Sequence, residues 1–250
     1  MIKTQYAVGV DIGGTGIKGA VVDLATGELV SDRVKIPTPE GGEPEAIAQT
    51  VVDIVTQLPN IDETTPVGVC FPAIVKKGIT RSAANVSTRW IGLAAEKLFE
   101  AALGRPIHFT NDADAAGYAE VRFGAANNHQ GSVLVTTLGT GIGTALIYKG
   151  VLVPNLELGH MKYRGDSFEK YAANSIRERE ELSYSDWAAR LQIFYNELEF
   201  LFSPDLFIVG GGVSKSHEKF LPLLNLNTPI VPATLRNNAG ILGAAVLAVS

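Results

Sequence analysis

The tetrapeptide Gly-Thr-Gly-Ile occurs twice in this chain of 250 residues, at Gly14–Ile17 and at Gly139–Ile142. Each copy stands between two short apolar runs of the kind that form β-strands. Glycine lets backbone N–H groups come close to a polyanion, and the threonine hydroxyl adds a donor. The repeat predicts two related halves, each with a tight glycine turn between paired strands. Two such turns facing each other would hold a phosphate chain from both sides, which indicates phosphoryl transfer.

Asp11 stands directly before the first glycine turn, at the end of a predicted strand. A carboxylate aimed at phosphate is repulsive unless a cation lies between them, so the sequence indicates a bound Mg²⁺. The alternative is an aspartate that only caps the turn. The other candidates for phosphate binding are the residues of the two turns and one lysine: Gly13, Gly14, Thr15, Gly16 and Lys18 in the first half, and Gly139, Thr140 and Gly141 in the second.

Asn111 and Asp112 follow the predicted strand Ile107–Thr110. Ligands of α/β sheets bind at the carboxyl ends of the strands, so Asp112 is a candidate general base toward a substrate hydroxyl. Both residue types also favour the N-cap of a helix, an alternative that is compatible with the catalytic one.

Glu157 and His160 stand three positions apart beside Gly159. One such pair is too small for a complete metal site, and no cysteine cluster stands near it in the sequence. Alternating acceptor and donor groups suit the binding of adjacent sugar hydroxyls. The alternative is a solvated surface pair.

A run of three glycines, Gly210–Gly212, follows another apolar segment. It predicts either close approach of the backbone to a nucleotide or phosphate, or simply a tight strand-to-helix turn. Residues Gly14–Gly19 formally match the dinucleotide pattern G-x-G-x-x-G, but the β-branched residues after them leave no room for the helix that this motif requires. The P-loop pattern is absent.

The net charge of −5 argues against nucleic acid as a partner, since phosphate-backbone binding needs an electropositive surface. The single cysteine, Cys70, lies in the apolar run Val67–Phe71, which indicates a buried side chain and excludes an internal disulfide. The sequence shows no signal peptide and no apolar segment long enough to span a bilayer. We therefore expect a cytoplasmic protein without a membrane partner.

The hydrophobic pattern alternates between strands and helices, which predicts an α/β fold that places the glycine turns and Asp112 at strand ends. Strands are expected at Gln5–Asp11, Lys18–Leu24, Glu28–Ile36, Pro66–Phe71, Ile107–Thr110, Ser132–Thr137, Thr144–Tyr148 and Leu206–Val209. Helices are expected at Glu45–Leu58, Leu93–Leu103, Ser185–Phe202 and Asn238–Val249, with others starting near Asp112 and Ser214. The charged segment Leu158–Leu182 shows no regular pattern.

Together these motifs resemble those of the ROK sugar kinases, within the actin-like and hexokinase-like ATPase superfamily, over nearly the whole chain. Val10–Ala20 is similar to the first phosphate motif, Leu138–Gly143 to the second, and Ile208–Val213 to the adenosine-side motif, which includes Gly211 and Gly212. The resemblance implies a two-domain, ribonuclease H-like fold with a duplicated core. It also implies that Asp112 is the catalytic base and that Asp11 holds Mg²⁺ through water. The sugar-binding residues that it implies are Asn85, Asn111, Glu157, His160 and, less directly, Glu169.

More narrowly, the chain is similar to the polyphosphate glucokinase branch, including its glucomannokinase members, at Thr140–His160, Ser203–Ser214 and Leu235–Gly240. Many ROK proteins carry a zinc-binding cysteine cluster after the Gly-His pair; this chain has none, so no zinc is expected. ROK repressors carry an N-terminal DNA-binding domain, whereas this chain begins at the first phosphate strand, so we expect no repressor function.

We therefore expect a hexose kinase that forms glucose 6-phosphate from inorganic polyphosphate and ATP, with mannose as a further acceptor, as a monomer or homodimer. Residues 1–111 would form a small domain, with the C-terminal helix 238–250 packed back onto it, and residues 112–237 a large domain. Two alternatives stay open: an ATP-only ROK kinase for fructose or an N-acetylhexosamine, and a non-enzymatic actin-like nucleotide-binding protein.

Overall fold

The structure is a computed structural model that describes residues 5–83 and 86–250. It divides into two compact units. Unit 1 consists of the chain up to Ala119 together with Asn238–Ser250, and unit 2 consists of Glu120–Asn237. The sequence-based boundary after residue 111 differs from this division, which falls inside a helix.

The strands are β1 (Tyr6–Ile12), β2 (Ile17–Asp23), β3 (Val34–Ile36), β4 (Val67–Phe71), β5 (Val75–Lys76), β6 (Ile79–Thr80), β7 (His108–Asn111), β8 (Ser132–Leu138), β9 (Ile142–Tyr148), β10 (Val151–Val153), β11 (Lys162–Tyr163), β12 (Asp166–Ser167), β13 (Leu206–Gly210) and β14 (Ile230–Pro232). The α-helices are α1 (Pro44–Gln57), α2 (Ala95–Leu103), α3 (Asp112–Phe123), α4 (Glu169–Ala172), α5 (Asn174–Arg179), α6 (Tyr184–Phe202) and α7 (Ala239–Leu247).

The two units contain sheets of the same design. In unit 1 the strand order is β3-β2-β1-β4-β7, and in unit 2 it is β10-β9-β8-β13-β14. In each sheet the first three strands are antiparallel and the last two add in parallel. The duplicated α/β core predicted from the repeated tetrapeptide is therefore confirmed, and each tetrapeptide joins the central hairpin of its own sheet.

Each unit has its own apolar core. In unit 1, residues of β1, β2 and β4 pack with α1 and α2 around the aromatic side chains of Phe71, Trp90 and Phe99. In unit 2, α6 lays Trp187, Leu191, Phe194 and further apolar residues over the sheet. The strands packed in these cores include β1, β7 and β8, whose ends carry or adjoin the candidate residues Asp11, Asp112 and Gly139.

Three segments differ from the sequence-based expectation. The predicted strand Glu28–Ile36 shortens to β3, because the Ser31 hydroxyl accepts the Val21 N–H (3.0 Å) that a continuous strand would pair with backbone. The helix expected near Ser214 is a 3₁₀ segment, Gly212–Lys219. The charged stretch without regular pattern contains the short helices α4 and α5.

Among the described residues, no helix combines the length and the apolar character needed to cross a bilayer.

The C-terminal helix α7 belongs to unit 1, and every one of its residues is buried. It comes so close to β1 and β4 that a Cβ on Gly9 or Gly68 would lie 1.9 Å from a helix carbonyl oxygen, that of Ile241 or Ala244. Because the obstructing atoms are backbone, rotating a side chain cannot relieve such a clash. The absence of side chains at Gly9 and Gly68 lets the helix pack directly against the sheet.

We predict that Gly68→Ala lowers the free energy of unfolding by about 1–3 kcal/mol or more, the usual cost of overpacking a closed core. Urea denaturation followed by circular dichroism measures this loss. Gly210→Ala is the matched control, because its Cβ would have no neighbour closer than 3.5 Å. Equal stabilities of the two variants would contradict the packing described for α7.

Candidate active site

The first glycine turn joins β1 to β2 and closes on itself. The Gly13 N–H donates to the Gly16 carbonyl (3.1 Å), and the Thr38 hydroxyl donates to the Gly13 carbonyl (2.5 Å). Gly14 and Thr15, at the tip, are exposed. The turn is thus fixed at its base, and its tip is exposed.

Asp11 lies opposite Lys18 in the β1–β2 register, with Lys18 Nζ 3.0 Å from Asp11 Oδ2. The other carboxylate oxygen lies 3.7 Å from the sulfur of Cys70. Burial raises the pKa of the Cys70 thiol, and the charges of Asp11 and Asp112 raise it further, so the thiol is neutral. Asp11 and Asp112 are thus both close enough to Cys70 for their charges to act on its thiol.

The donor set around Asp11 fits a Mg²⁺ held through water better than one bound directly. One carboxylate oxygen already accepts from Lys18, and the other faces the thiol. Within residues 5–83 and 86–250, no group of three or more His, Cys, Asp or Glu side chains is arranged to hold a metal ion. Mg²⁺ in proteins commonly keeps several waters and is bound through one or two carboxylates together with phosphate oxygens of a ligand.

Asn111 and Asp112 stand where β7 meets α3. The Asn111 side chain donates to the Ala73 carbonyl (3.0 Å) and accepts from the Asp114 N–H (2.9 Å), so it fixes the start of the helix. Asp112 is half-buried and accepts from the Ala113 N–H (2.8 Å). The N-cap alternative is thus true of Asn111. The sequence-based candidate Asn85 lies outside the described residues.

The second glycine turn joins β8 to β9 and is anchored to α5. The Gly139 N–H donates to the Gly141 carbonyl (3.0 Å). Ser175 holds the turn from outside: its N–H donates to the Gly139 carbonyl (3.0 Å) and its hydroxyl to the Thr140 carbonyl (2.6 Å). Ser175 was not among the residues predicted from the sequence, since a lone serine in an irregular charged segment gives no recognisable signal.

Glu157, His160 and Glu169 form one cluster beside this turn. The two ring nitrogens of His160 lie between the carboxylates: Nε2 is 3.8 Å from Glu157 and Nδ1 is 3.6 Å from Glu169. Glu169 also accepts the backbone N–H of Ile142 (3.2 Å), the first residue after the turn. A Cβ on Gly141 would lie 2.3 Å from the same Glu169 oxygen, so only glycine allows this approach.

The carboxyl group of Glu157 is partly buried in this cluster. Burial raises its pKa, His160 opposes that rise, and the charge of Glu169 adds to it. Such a perturbed, partly buried carboxylate beside an imidazole is typical of functional sites, and it argues against the solvated-pair alternative.

Gly211 and Gly212 follow β13, and Gly211 packs against Leu138, the residue directly before the second glycine turn. Gly211 has φ +86°, and a Cβ there would lie 2.3 Å from the Leu138 carbonyl oxygen. Next to it is a pocket of about 430 Å³ in unit 2. Its lining includes residues of the turn (Gly139, Thr140), of α5 (Asn174, Ser175, Arg177, Glu178) and of the 3₁₀ segment (Gly212, Val213, Ser216), together with Leu138 and Tyr184.

The sequence pattern of the ROK family matches residues 7–172. The chain belongs to this family. It is 44% identical to the polyphosphate glucokinase of Mycobacterium tuberculosis over 247 residues, which cover 98% of this chain and 92% of that protein. It is 29% identical to the glucokinase of Streptomyces coelicolor, with 96% of each chain covered.

Solved structures of ROK proteins agree with this assignment. The inorganic polyphosphate/ATP-glucomannokinase of Arthrobacter sp. strain KM is 50% identical, with a TM-score of 0.92 over 97% of this chain and 98% of that one. The ROK family glucokinase of Streptomyces griseus, solved with glucose and AMPPNP, is 26% identical, with a TM-score of 0.82 over 97% and 98%. The expected fold class is confirmed.

The raised pKa of Glu157 has a consequence for stability. A folded carboxyl with a raised pKa binds more protons than the unfolded one in the window above the ordinary glutamate pKa, so its contribution to the unfolding free energy falls as pH rises through that window. We predict that Glu157→Gln gains stability relative to the parent protein at about pH 7 and gains less at about pH 4. Denaturant titrations at both values measure this, with the exposed Glu197→Gln as control. A gain independent of pH would contradict it.

Proposed function

We propose that this protein is a hexose kinase that transfers the terminal phosphoryl group of inorganic polyphosphate, and also of ATP, to the 6-hydroxyl of glucose, with mannose as a second acceptor. The observation that carries the proposal is its 44–50% identity, over nearly the whole chain, to proteins named for that activity. The glycine turns and the Glu157–His160–Glu169 cluster supply the groups that such a reaction needs. A non-enzymatic actin-like protein would have no use for that cluster.

In the proposed mechanism, Asp112 accepts the proton of the sugar 6-hydroxyl. The freed oxygen forms a bond to the terminal phosphorus while the bond from that phosphorus to the bridging oxygen breaks. The products are glucose 6-phosphate and a polyphosphate shorter by one phosphate, or ADP. Asn111, which caps α3 with its side chain, keeps Asp112 in position, and base catalysis of this kind contributes about 10²–10⁴-fold.

The sugar is the proposed ligand of Asn85, Asn111, Glu157, His160 and Glu169. Carboxylate oxygens accept from sugar hydroxyls, and the imidazole and amide groups can also donate to them. His160 is the most exposed member of its cluster and is flanked by both carboxylates, so the three side chains can bind adjacent hydroxyls together. Fixing the acceptor in this way supplies the positional part of the rate enhancement.

The phosphoryl donor is the proposed ligand of both glycine turns. The first turn offers the backbone of Gly13–Gly16 and the ammonium of Lys18, and the second offers Gly139–Gly141. Gly211 and Gly212 would contact the adenosine side of ATP, next to the 430 Å³ pocket. Mg²⁺, held by Asp11 through water when bound, would neutralise charge on the donor.

A coupled assay for glucose 6-phosphate tests the proposal, with nucleotide-free polyphosphate and ATP as separate donors. Mannose, fructose and N-acetylglucosamine replace glucose in parallel reactions. We expect turnover with both donors, and with glucose and mannose as acceptors. Turnover with ATP alone, on fructose or the acetylated sugar, would support the ATP-only alternative instead. No turnover with any pair would refute the kinase proposal.

We predict that Asp112→Asn reduces kcat with glucose by at least about a hundredfold, since the amide cannot take the proton. Glucose affinity, measured by calorimetry, should change by less than about threefold, because Asp112 acts on the proton rather than on binding. Asp53→Asn, an exposed position on α1 in the same unit, is the matched control. A kcat near that of the control would remove Asp112 from the mechanism.

A further inference from the structure

Three charged side chains stand in one line across the sheet of unit 1. Asp11 on β1 is paired with Lys18 on β2, and Lys18 is paired with Lys35 on β3. Directly paired residues of antiparallel strands project from the same face of the sheet. This is the face covered by α7, because a Cβ on Gly240 would lie 2.8 Å from Asp11 Cγ. The line runs from the first glycine turn to the sheet edge.

The charges along this line are not balanced. The ammonium of Lys18 is neutralised by Asp11 at 3.0 Å, whereas Lys35 is exposed and takes part in none of the ion pairs found among the described residues. Like charges directly opposite each other on neighbouring strands destabilise a sheet. A bound polyanion would reverse the sign of this interaction, since both ammonium groups could then contact phosphate.

The side chain of Lys35 reaches back to the glycine turn. A Cβ on Gly16 would lie 2.9 Å from Lys35 Cε, so the lysine stem lies across the backbone of that glycine. The missing side chain of Gly16 therefore makes room for Lys35. This contact brings the ammonium group of Lys35 beside the turn that we assign to the phosphoryl donor.

Arg33 adds a further positive charge just before β3, two positions ahead of Lys35. Its guanidinium donates to the neutral Asn238 side chain (3.2 Å), and Arg33 takes part in no ion pair found within residues 5–83 and 86–250. Asn238 directly precedes α7, so this hydrogen bond holds Arg33 over the same face as Lys18 and Lys35.

We propose that Lys18, Lys35 and Arg33, here called the basic row, bind the phosphates of a polyphosphate chain that lie behind the transferred one. The proposal rests on the proposed function, since it assigns the path of that enzyme's donor. A long chain of phosphates can contact every member of the row, whereas the nucleoside of ATP directs that donor to the pocket in unit 2. The basic row thus distinguishes a polymeric donor from a nucleotide.

The test compares Lys35→Gln and Arg33→Gln with Lys97→Gln, which removes the same charge from an exposed position of α2. For each variant, KM is measured for long-chain polyphosphate, for tripolyphosphate and for ATP. We expect KM for long-chain polyphosphate to rise roughly three- to tenfold in the first two variants, the range between an exposed ion pair and a charge-assisted hydrogen bond. The values for ATP, and kcat with each donor, should stay within about twofold of the control.

Raising the salt concentration should weaken long-chain binding less in Lys35→Gln than in the parent protein, because one charge contact fewer is screened. Long-chain KM values equal to that of Lys97→Gln would overturn the basic row while leaving the kinase intact. An equal rise in KM for ATP would also overturn it, because the residues would then serve any donor. Absence of turnover with every donor in the parent protein would instead refute the proposed function.

Discussion

The hydrogen bond from the backbone N–H of Ile142 to the Glu169 carboxylate connects the second glycine turn of unit 2 with the Glu157–His160–Glu169 cluster. Ile142 directly follows the second glycine turn, and the other oxygen of Glu169 faces His160 in the proposed sugar cluster. Gly159 also packs against Ile142, since a Cβ on Gly159 would lie 2.2 Å from the Ile142 carbonyl oxygen. The second glycine turn and the proposed sugar cluster are therefore both in contact with Ile142, the first residue of β9.

In unit 1, a different set of contacts positions the candidate residues. The hairpin of β1 and β2 places Asp11 and Lys18 as a paired charge beside its glycine turn, and Asn111 fixes the start of α3 so that Asp112 is held at the end of β7. Both units use the same strand order, so the duplicated topology supplies equivalent strand ends that carry different side chains. One unit carries the proposed base, and the other carries the proposed sugar cluster.

Residue types alone led to the glycine turns, Asp11, Asp112 and the Glu157–His160 pair, because each is a short pattern with a local physical reason. The contacts that organise them could not be predicted in this way. Ser175 and Glu169 lie in a stretch without hydrophobic periodicity, and their roles depend on where α4 and α5 bring them. The position of Lys35 opposite Lys18 depends on the register of β3. The strand predicted there was too long, because the hydrogen bond between the Val21 N–H and the Ser31 hydroxyl could not be foreseen from the sequence.

The central claim is that the terminal phosphoryl group passes to a sugar hydroxyl and not to water. Phosphorus NMR of nucleotide-free polyphosphate, incubated with the protein in the presence and absence of glucose, tests this directly. The account predicts a growing glucose 6-phosphate signal with glucose present, loss of phosphate from chain ends, and negligible orthophosphate in either sample. Orthophosphate released at a similar rate with and without glucose, with no sugar phosphate formed, would contradict it.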